Sequence, residues 1–252
     1  MPKIAIIAAL ERELAPLVRS WPKSKFIHDA REFTAYAADN AVAICGGIGA
    51  ECARRAAEAA VRRYSPEILI SAGTAGAAAG ELRAGDTVWP AVVVDTRAGS
   101  RHETAIHPGA PGPRPGPRTV LASYPAIAGC AEKRQLRKSY GAHAVDMEAA
   151  AVARAAEVHG LPFLAVKAIS DDADFEIRGL NRFVRAGGVA AGSLILHLIP
   201  RPWLWPRMIR LARNTRLASE SLCACLRESV LTHTMGSGTR AGTVENGGAP
   251  RA

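Results

Sequence analysis

The 252 residues suffice for one domain with a sizeable core, and 48% hydrophobic content with only 5% aromatic fits an Ala/Val/Leu-rich α/β protein better than a β-sandwich. The formal charge of +9 is uneven: residues 201–252 hold eight Arg against three Glu, so +5 lies in the last 52 residues, which points to a basic tail and argues against a nucleic-acid-binding domain. No stretch approaches the ~20 apolar residues of a membrane span, and the odd, scattered Cys45, Cys52, Cys130, Cys223 and Cys225 form no C-x-x-C pair and have no His cluster to complete a zinc site.

Ile4–Ala9 is a short, continuous apolar run, the mark of a strand buried on both faces, and is too short for a signal peptide. It leads into Glu11-Arg12-Glu13-Leu14 and a helical pattern toward Val18. Ala41–Cys45 is a second strand, ending in Gly46-Gly47-Ile48-Gly49, and Ala50–Tyr64 then reads as an Ala-rich helix with an Arg/Glu face. Ile68–Ser71 is a third strand, closed by the loop Ala72-Gly73-Thr74-Ala75-Gly76. Thr87–Val94 and Val120–Ser123 are further strands, and Ala131–Ser139 and Met147–His159 are helices. Phe163–Ile169 is a last buried strand, and Asn181–Leu198 is expected to be an apolar helix lying back on the sheet. Pro108–Pro117 is a loop, and the chain from Gly236 lacks the large apolar residues that order requires. The organisation expected is a catalytic domain over 1–200, a basic, Trp-containing helix over 201–231 and a disordered tail over 232–252. With no leader and no span, the cytoplasm is the expected location.

Strands alternating with helices imply parallel βαβ units and a sheet covered on both faces, a three-layer α/β/α arrangement. Ligands bind such sheets outside the carboxyl ends of the strands. The Glu13 turn, the Gly46–Gly49 loop, the Ser71–Gly76 loop and Asp171 all follow predicted strands and should share that edge.

Each candidate residue also has a plainer reading. The glycine loops let backbone N–H groups approach a ligand, yet each alone is more simply a tight turn. Neither is a dinucleotide fingerprint, since Cys52 stands where the third glycine belongs, and no P-loop lysine is present. Asp171 at a strand exit is a helix N-cap or a catalytic group. Glu148 lies among small apolar residues, on a solvated helix face or in a buried helix where a carboxylate needs a partner. Glu13 can be a first-turn acid favoured by the helix dipole. His102 and His107, beside the proline loop, are expected at the surface.

Taken in order, these pieces resemble the purine nucleoside phosphorylase/nucleosidase superfamily, most closely its methylthioadenosine/S-adenosylhomocysteine nucleosidase-like branch. The matching segments are Ile4–Glu13, Gly47–Gly49, Ser71–Gly76, Gly85-Asp86, Ala144–Ala149 and Val166–Asp174. The short segment between Asp86 and Met147, with its proline loop, and the addition beyond residue 200 are similar to the hopanoid-associated phosphorylase subgroup. The fold implied is nucleoside phosphorylase-like, with a mostly parallel, mixed central sheet.

The resemblance implies cleavage of the N-glycosidic bond of an adenine nucleoside, with adenosylhopane, methylthioadenosine and S-adenosylhomocysteine as candidate substrates. Breaking that bond builds negative charge on the purine, so an acid must protonate its N7. The family's Ser-Asp pair falls on Ser170-Asp171, making Asp171 the general acid, with a carboxyl that should titrate well above the ordinary ~4. The Met-Glu pair falls on Met147-Glu148, which would grip the ribose, and the backbone of Thr74, Ala75 and Gly76 would line the site. Glu13 occupies the position that activates water, and the Gly-Asp-Pro-x-Arg phosphate segment of hexameric phosphorylases is absent, so hydrolysis is favoured. Phosphorolysis would instead draw inorganic phosphate to cations such as Arg12 or Arg54. The family's purine contacts do not carry over, because Ser123-Tyr124-Pro125-Ala126 lacks its aromatic-aliphatic pair. No cofactor, metal or nucleic acid is implied, and a homo-oligomer is. The competing reading is a non-catalytic nucleoside-binding module on the same fold.

Residues 201–216 carry five Arg and no acid alongside Trp203, Trp205 and Ile209. Such a helix either docks on the protein or lies peripherally in an anionic membrane interface.

Overall fold

In β1 (Ile4–Ala8) successive side chains enter different cores: Ile4, Ile6 and Ala8 face one, Ala5 and Ile7 the other. That is why the strand reads as an unbroken apolar run. The computed structural model describes residues 3–105, 119–176, 179–185 and 187–231. The expectations for His107, for Pro108–Pro117 and for the 232–252 tail fall outside them.

The remaining elements are α1 (Glu11–Val18), β2 (Lys23–His28), β3 (Arg31–Ala37), β4 (Ala41–Cys45), α2 (Ala50–Tyr64) and β5 (Ile68–Ala77). Then come β6 (Thr87–Val88), β7 (Val92–Asp95), β8 (Arg101–Glu103), β9 (Val120–Ser123), α3 (Cys130–Tyr140), β10 (Ala144–Asp146), α4 (Ala149–Val158) and β11 (Phe163–Asp171). The hairpin β12 (Val184–Arg185) and β13 (Gly188–Val189), then α5 (Ala191–Leu198) and α6 (Trp205–Cys225), complete the described chain.

The main sheet runs β2-β3-β4-β1-β5-β10-β9-β7-β8, with β11 paired to both β5 and β6. It is mixed: β1 lies parallel between β4 and β5, β11 is parallel to β5, and β10 meets β5 antiparallel. Alanine-rich α2 and α4 cover one face, burying Ala53, Ala56, Ala60, Val152 and Ala156. On the other, α1 and α6 bury Leu14, Leu17, Ala218 and Leu222. This is the expected three-layer fold. No helix of the described residues is long and apolar enough to cross a membrane.

Several local expectations are corrected. The Ala72–Gly76 loop is the second half of β5, whose small residues keep strand pairing with β11 as far as Asp171↔Gly76. Thr87–Val94 is two strands, broken near Pro90, which has no N–H to give a ladder. Asn181–Leu198 is not one helix: a 3-10 turn over Leu180–Phe183 and the β12–β13 hairpin precede α5. Gly187, at φ 82°, makes the hairpin turn that a continuous helix would not allow. The β2–β3 hairpin carried no recognised turn pair; Asp29 and Ala30 close it with φ of 48° and 58°.

Candidate active site

The carboxyl ends of β1, β4, β5 and β11, together with the exit from β10, bring the acidic residues to one edge. Glu13, in the first turn of α1, is buried. Its Oε2 accepts the N–H of Leu10 at 2.9 Å, closing the start of the helix from within. Its Oε1 accepts the backbone N–H of Thr74 at 3.0 Å and the Thr74 hydroxyl at 2.8 Å. The helix-start reading and the site reading of Glu13 are therefore both true. Three donors occupy a carboxylate with about four lone-pair sites.

Glu148 is the residue before α4 and faces the N-terminus of α2: its Oε1 accepts the Gly49 N–H at 2.8 Å. Gly47 and Gly49, at φ 96° and 99°, take a backbone conformation open to glycine, and this aims the Gly49 amide at the carboxylate. Withdrawal from water, reinforced by the negative charge of Asp146, pushes the Glu148 carboxyl up to about 7. Lys167 and the Gly49 amide act the other way.

Beneath them lies an ion pair that sequence reasoning missed. Lys167 and Asp146 are both buried, with Nζ 2.9 Å from Oδ2. Lys167 also donates to Ser71 Oγ at 3.0 Å, while Asp146 accepts from Ser123 Oγ at 2.6 Å and from the Ala149 N–H at 2.9 Å. Burial works against the lysine's charge, but Asp146 and then Glu148 hold its ammonium above the ordinary range. The available signal was a lysine inside the apolar run Phe163–Ile169, which a buried strand tolerates only with a partner.

Asp171 closes β11. Its Oδ1 accepts the Ser170 hydroxyl at 2.7 Å, and Ser170 Oγ also lies 3.3 Å from the Ala75 carbonyl oxygen. Its Oδ2 is paired with Lys133 of α3, a buried side chain that also donates to the Asp172 carbonyl oxygen at 2.8 Å. The sequence reading makes this carboxyl the proton donor to the base. An ammonium and a hydroxyl both donate to it. Gly76 is needed here: a Cβ on it would lie 2.8 Å from Asp171 Oδ2 and 3.0 Å from Lys133 Cε.

The proposed site residues thus gather: Glu13 with Thr74, Asp171 with Ser170, Ala75 and Gly76, and Glu148 beside Met147, whose N–H lies 3.2 Å from Glu148 Oε2. His102 is buried rather than at the surface, its Nδ1 2.6 Å from Glu157 Oε1. Arg54 is held on α2 by Glu51 and Glu58. Among the described residues no His, Cys, Asp or Glu cluster is arranged to hold a metal. A hollow of about 230 Å³ opens beside Asp171, lined by Ile127, Ala128, Gly129, Phe175 and Leu211. Sharing Phe175 and Glu176 with it, a larger hollow of about 950 Å³ runs under Trp203, Arg207 and Arg210, outside the Glu13–Glu148 cluster.

Residues 3–130 and 119–199 match the Phosphorylase superfamily. The chain belongs to that superfamily. A 5′-methylthioadenosine/S-adenosylhomocysteine nucleosidase of Shewanella halifaxensis (strain HAW-EB4) is 30% identical over 203 residues, 68% of this chain and 87% of the relative. The fold is similar to that of a 5′-methylthioadenosine/S-adenosylhomocysteine nucleosidase from Neisseria meningitidis in complex with methylthio-immucillin-A. There the TM-score is 0.67 at 19% identity, covering 92% of this chain and 100% of the other. Futalosine hydrolase of Helicobacter pylori strain 26695 gives a TM-score of 0.67 at 17% identity, covering 92% and 98%.

Proposed function

We propose that this chain hydrolyses the N-glycosidic bond of an adenine nucleoside modified at its 5′ carbon, releasing adenine. Adenosylhopane, methylthioadenosine and S-adenosylhomocysteine are the candidate substrates. The observation that carries the reading is the placing of Glu13, Glu148 and Asp171 at one sheet edge, each held by specific donors. The nucleosidase relative supports the class of reaction.

In this reading Asp171 passes a proton to N7 as the bond to the ribose breaks. Glu148 accepts hydrogen bonds from the ribose hydroxyls, with Met147 against the sugar. A negative charge there also favours an oxocarbenium-like transition state. Glu13, with one lone-pair site left, accepts a proton from the attacking water. Water rather than phosphate suits the charges: the buried Lys167 and Lys133 are already committed to Asp146 and Asp171. The protein works as a homo-oligomer in the cytoplasm. The start of α6 adds a peripheral contact with the anionic inner face of the membrane, supported by exposed Trp203, Trp205 and Ile209 beside Arg207 and Arg210.

Incubation with 5′-methylthioadenosine in phosphate-free buffer tests the reaction, with free adenine and a free reducing sugar expected. Strict dependence on phosphate, with a sugar 1-phosphate product, would replace hydrolysis by phosphorolysis. Tight binding without adenine release would leave only a binding module.

A further inference from the structure

Asp171 poses a problem that its neighbours answer. A group that protonates a purine must hold a proton near neutral pH, yet both oxygens of Asp171 already receive donors, one of them the Lys133 ammonium. The protons beside it in this arrangement are those of the Lys133 ammonium and the Ser170 hydroxyl. The proton is stored one atom away. An ammonium stays charged across the physiological range, where an ordinary carboxyl has lost its proton. Lys133 is buried, so this ammonium is withheld from water.

Three elements build the pair. Lys133 comes from α3, Asp171 from the end of β11, and β5 passes beneath them at Gly76, where a Cβ would lie 2.8 Å from Asp171 Oδ2 and 3.0 Å from Lys133 Cε. The Asp172 carbonyl oxygen takes another Lys133 proton at 2.8 Å, fixing the ammonium's direction. The Asp172 carboxylate does not compete, since it turns to Arg210 at 2.5 Å and to the Ala84 amide at 3.3 Å. The other charged groups of the adjoining hollow are Glu132 and Glu176.

We propose that Lys133 is the proton store for the leaving purine and delivers through Asp171. As the C1′–N9 bond breaks, its electron pair moves onto the purine. N7 takes a proton from the Asp171 carboxyl, which takes one from the Lys133 ammonium. The pair passes from ammonium and carboxylate to neutral amine and carboxylate. After adenine leaves, the amine regains its proton from water. The inference rests on Asp171 being the acid. Lys133 never touches the purine in this scheme and acts as a positioning residue.

The test uses the full chain and 5′-methylthioadenosine, with Lys133→Met, Lys133→Arg and Asp171→Asn compared over pH 5–9. Lys133→Met should lose adenine release about 100-fold or more at pH 7.5, on the scale of a lost general acid. Relative to wild type at the same pH, the deficit should shrink toward pH 5, where solvent supplies the proton. Lys133→Arg keeps a cation on Asp171, but guanidinium does not give up its proton, so it should be as slow as Lys133→Met at pH 7.5. Wild-type rates in the arginine variant would overturn the proposal, because charge alone would then suffice. So would a methionine variant within a few-fold of wild type, or one whose deficit against wild type is the same at every pH. If Lys133→Met does not fold, the arginine variant still decides. Undiminished activity in Asp171→Asn would sink the acid assignment itself; a loss there with none in either lysine variant sinks only the role of Lys133.

Discussion

The hydroxyl of Ser219 donates to the carbonyl oxygen of Glu13 at 2.9 Å, joining residues 206 positions apart. It reaches the Arg12 carbonyl as well, at 3.0 Å. The C-terminal helix therefore holds the turn that carries the water-activating candidate, and its second half buries Ala218, Leu222 and Cys223 against α1 and the sheet. A chain ending at Pro200 is expected to lose its cooperative melting transition, measurable by circular dichroism. Leu222→Ala should cost about 2–5 kcal/mol in chemical denaturation, the usual range for a buried leucine.

The first half of the same helix gives a separate expectation. Trp203, Trp205 and Ile209 are 67%, 50% and 59% exposed, beside a run of arginines. Full-length protein should sediment with anionic liposomes at low salt and be released as salt rises. Trp203→Ala with Trp205→Ala should weaken sedimentation without changing the rate on a water-soluble nucleoside. Indifference to liposomes at low salt would end the membrane proposal.

Asp171→Asn preserves shape but cannot deliver a proton. Adenine release should fall by about 10²–10⁴ while the melting temperature stays within a few degrees. A rate within a few-fold of wild type would remove Asp171 from the mechanism.

For Glu13→Gln, sugar release in phosphate-free buffer should drop by at least about 100-fold. The amide retains one acceptor oxygen for Thr74 but cannot take the proton of water. Unchanged hydrolysis would assign the base elsewhere.

Glu148 gives the pH prediction. Its carboxyl lies near 7 when folded, against 4.5 ordinarily, so between those values the folded chain keeps a proton that the unfolded chain has lost. Stability from this group is complete below about 4.5 and declines as pH rises through 7. Ligand binding should run the opposite way if, as proposed, ribose hydroxyls donate to the carboxylate. The Kd of a non-cleavable adenine C-nucleoside should rise up to about tenfold per pH unit below 7. Glu148→Gln should bind weakly at every pH. The same pH dependence in that variant would assign it to another group.

Much of this was legible in the sequence because buried parallel strands leave continuous apolar runs, and because the residue after such a run falls at the ligand edge. Glu13 and Asp171 are placed by that rule, whereas Glu148, read as part of a helix from Met147, is singled out by the family resemblance. Lys133 and Lys167 are found by neither: each reads as an ordinary charge until the fold presents a carboxylate to it. Their partners, Asp171 and Asp146, lie 38 and 21 residues away. The β2–β3 hairpin hid for a different reason. Its turn uses Asp29 and Ala30 where Asn-Gly or Asp-Gly would advertise the positive φ.

β5 has a consequence for motion. It is hydrogen-bonded to β1, β10 and β11, and carries Thr74 and Gly76 within that paired stretch. Strands enclosed this way open only with the whole molecule, whereas an edge strand such as β2 opens locally. Deuterium should therefore enter the β2–β3 hairpin long before it reaches Leu69–Ala77. The backbone that shapes the candidate site would then keep its form through every fluctuation short of unfolding.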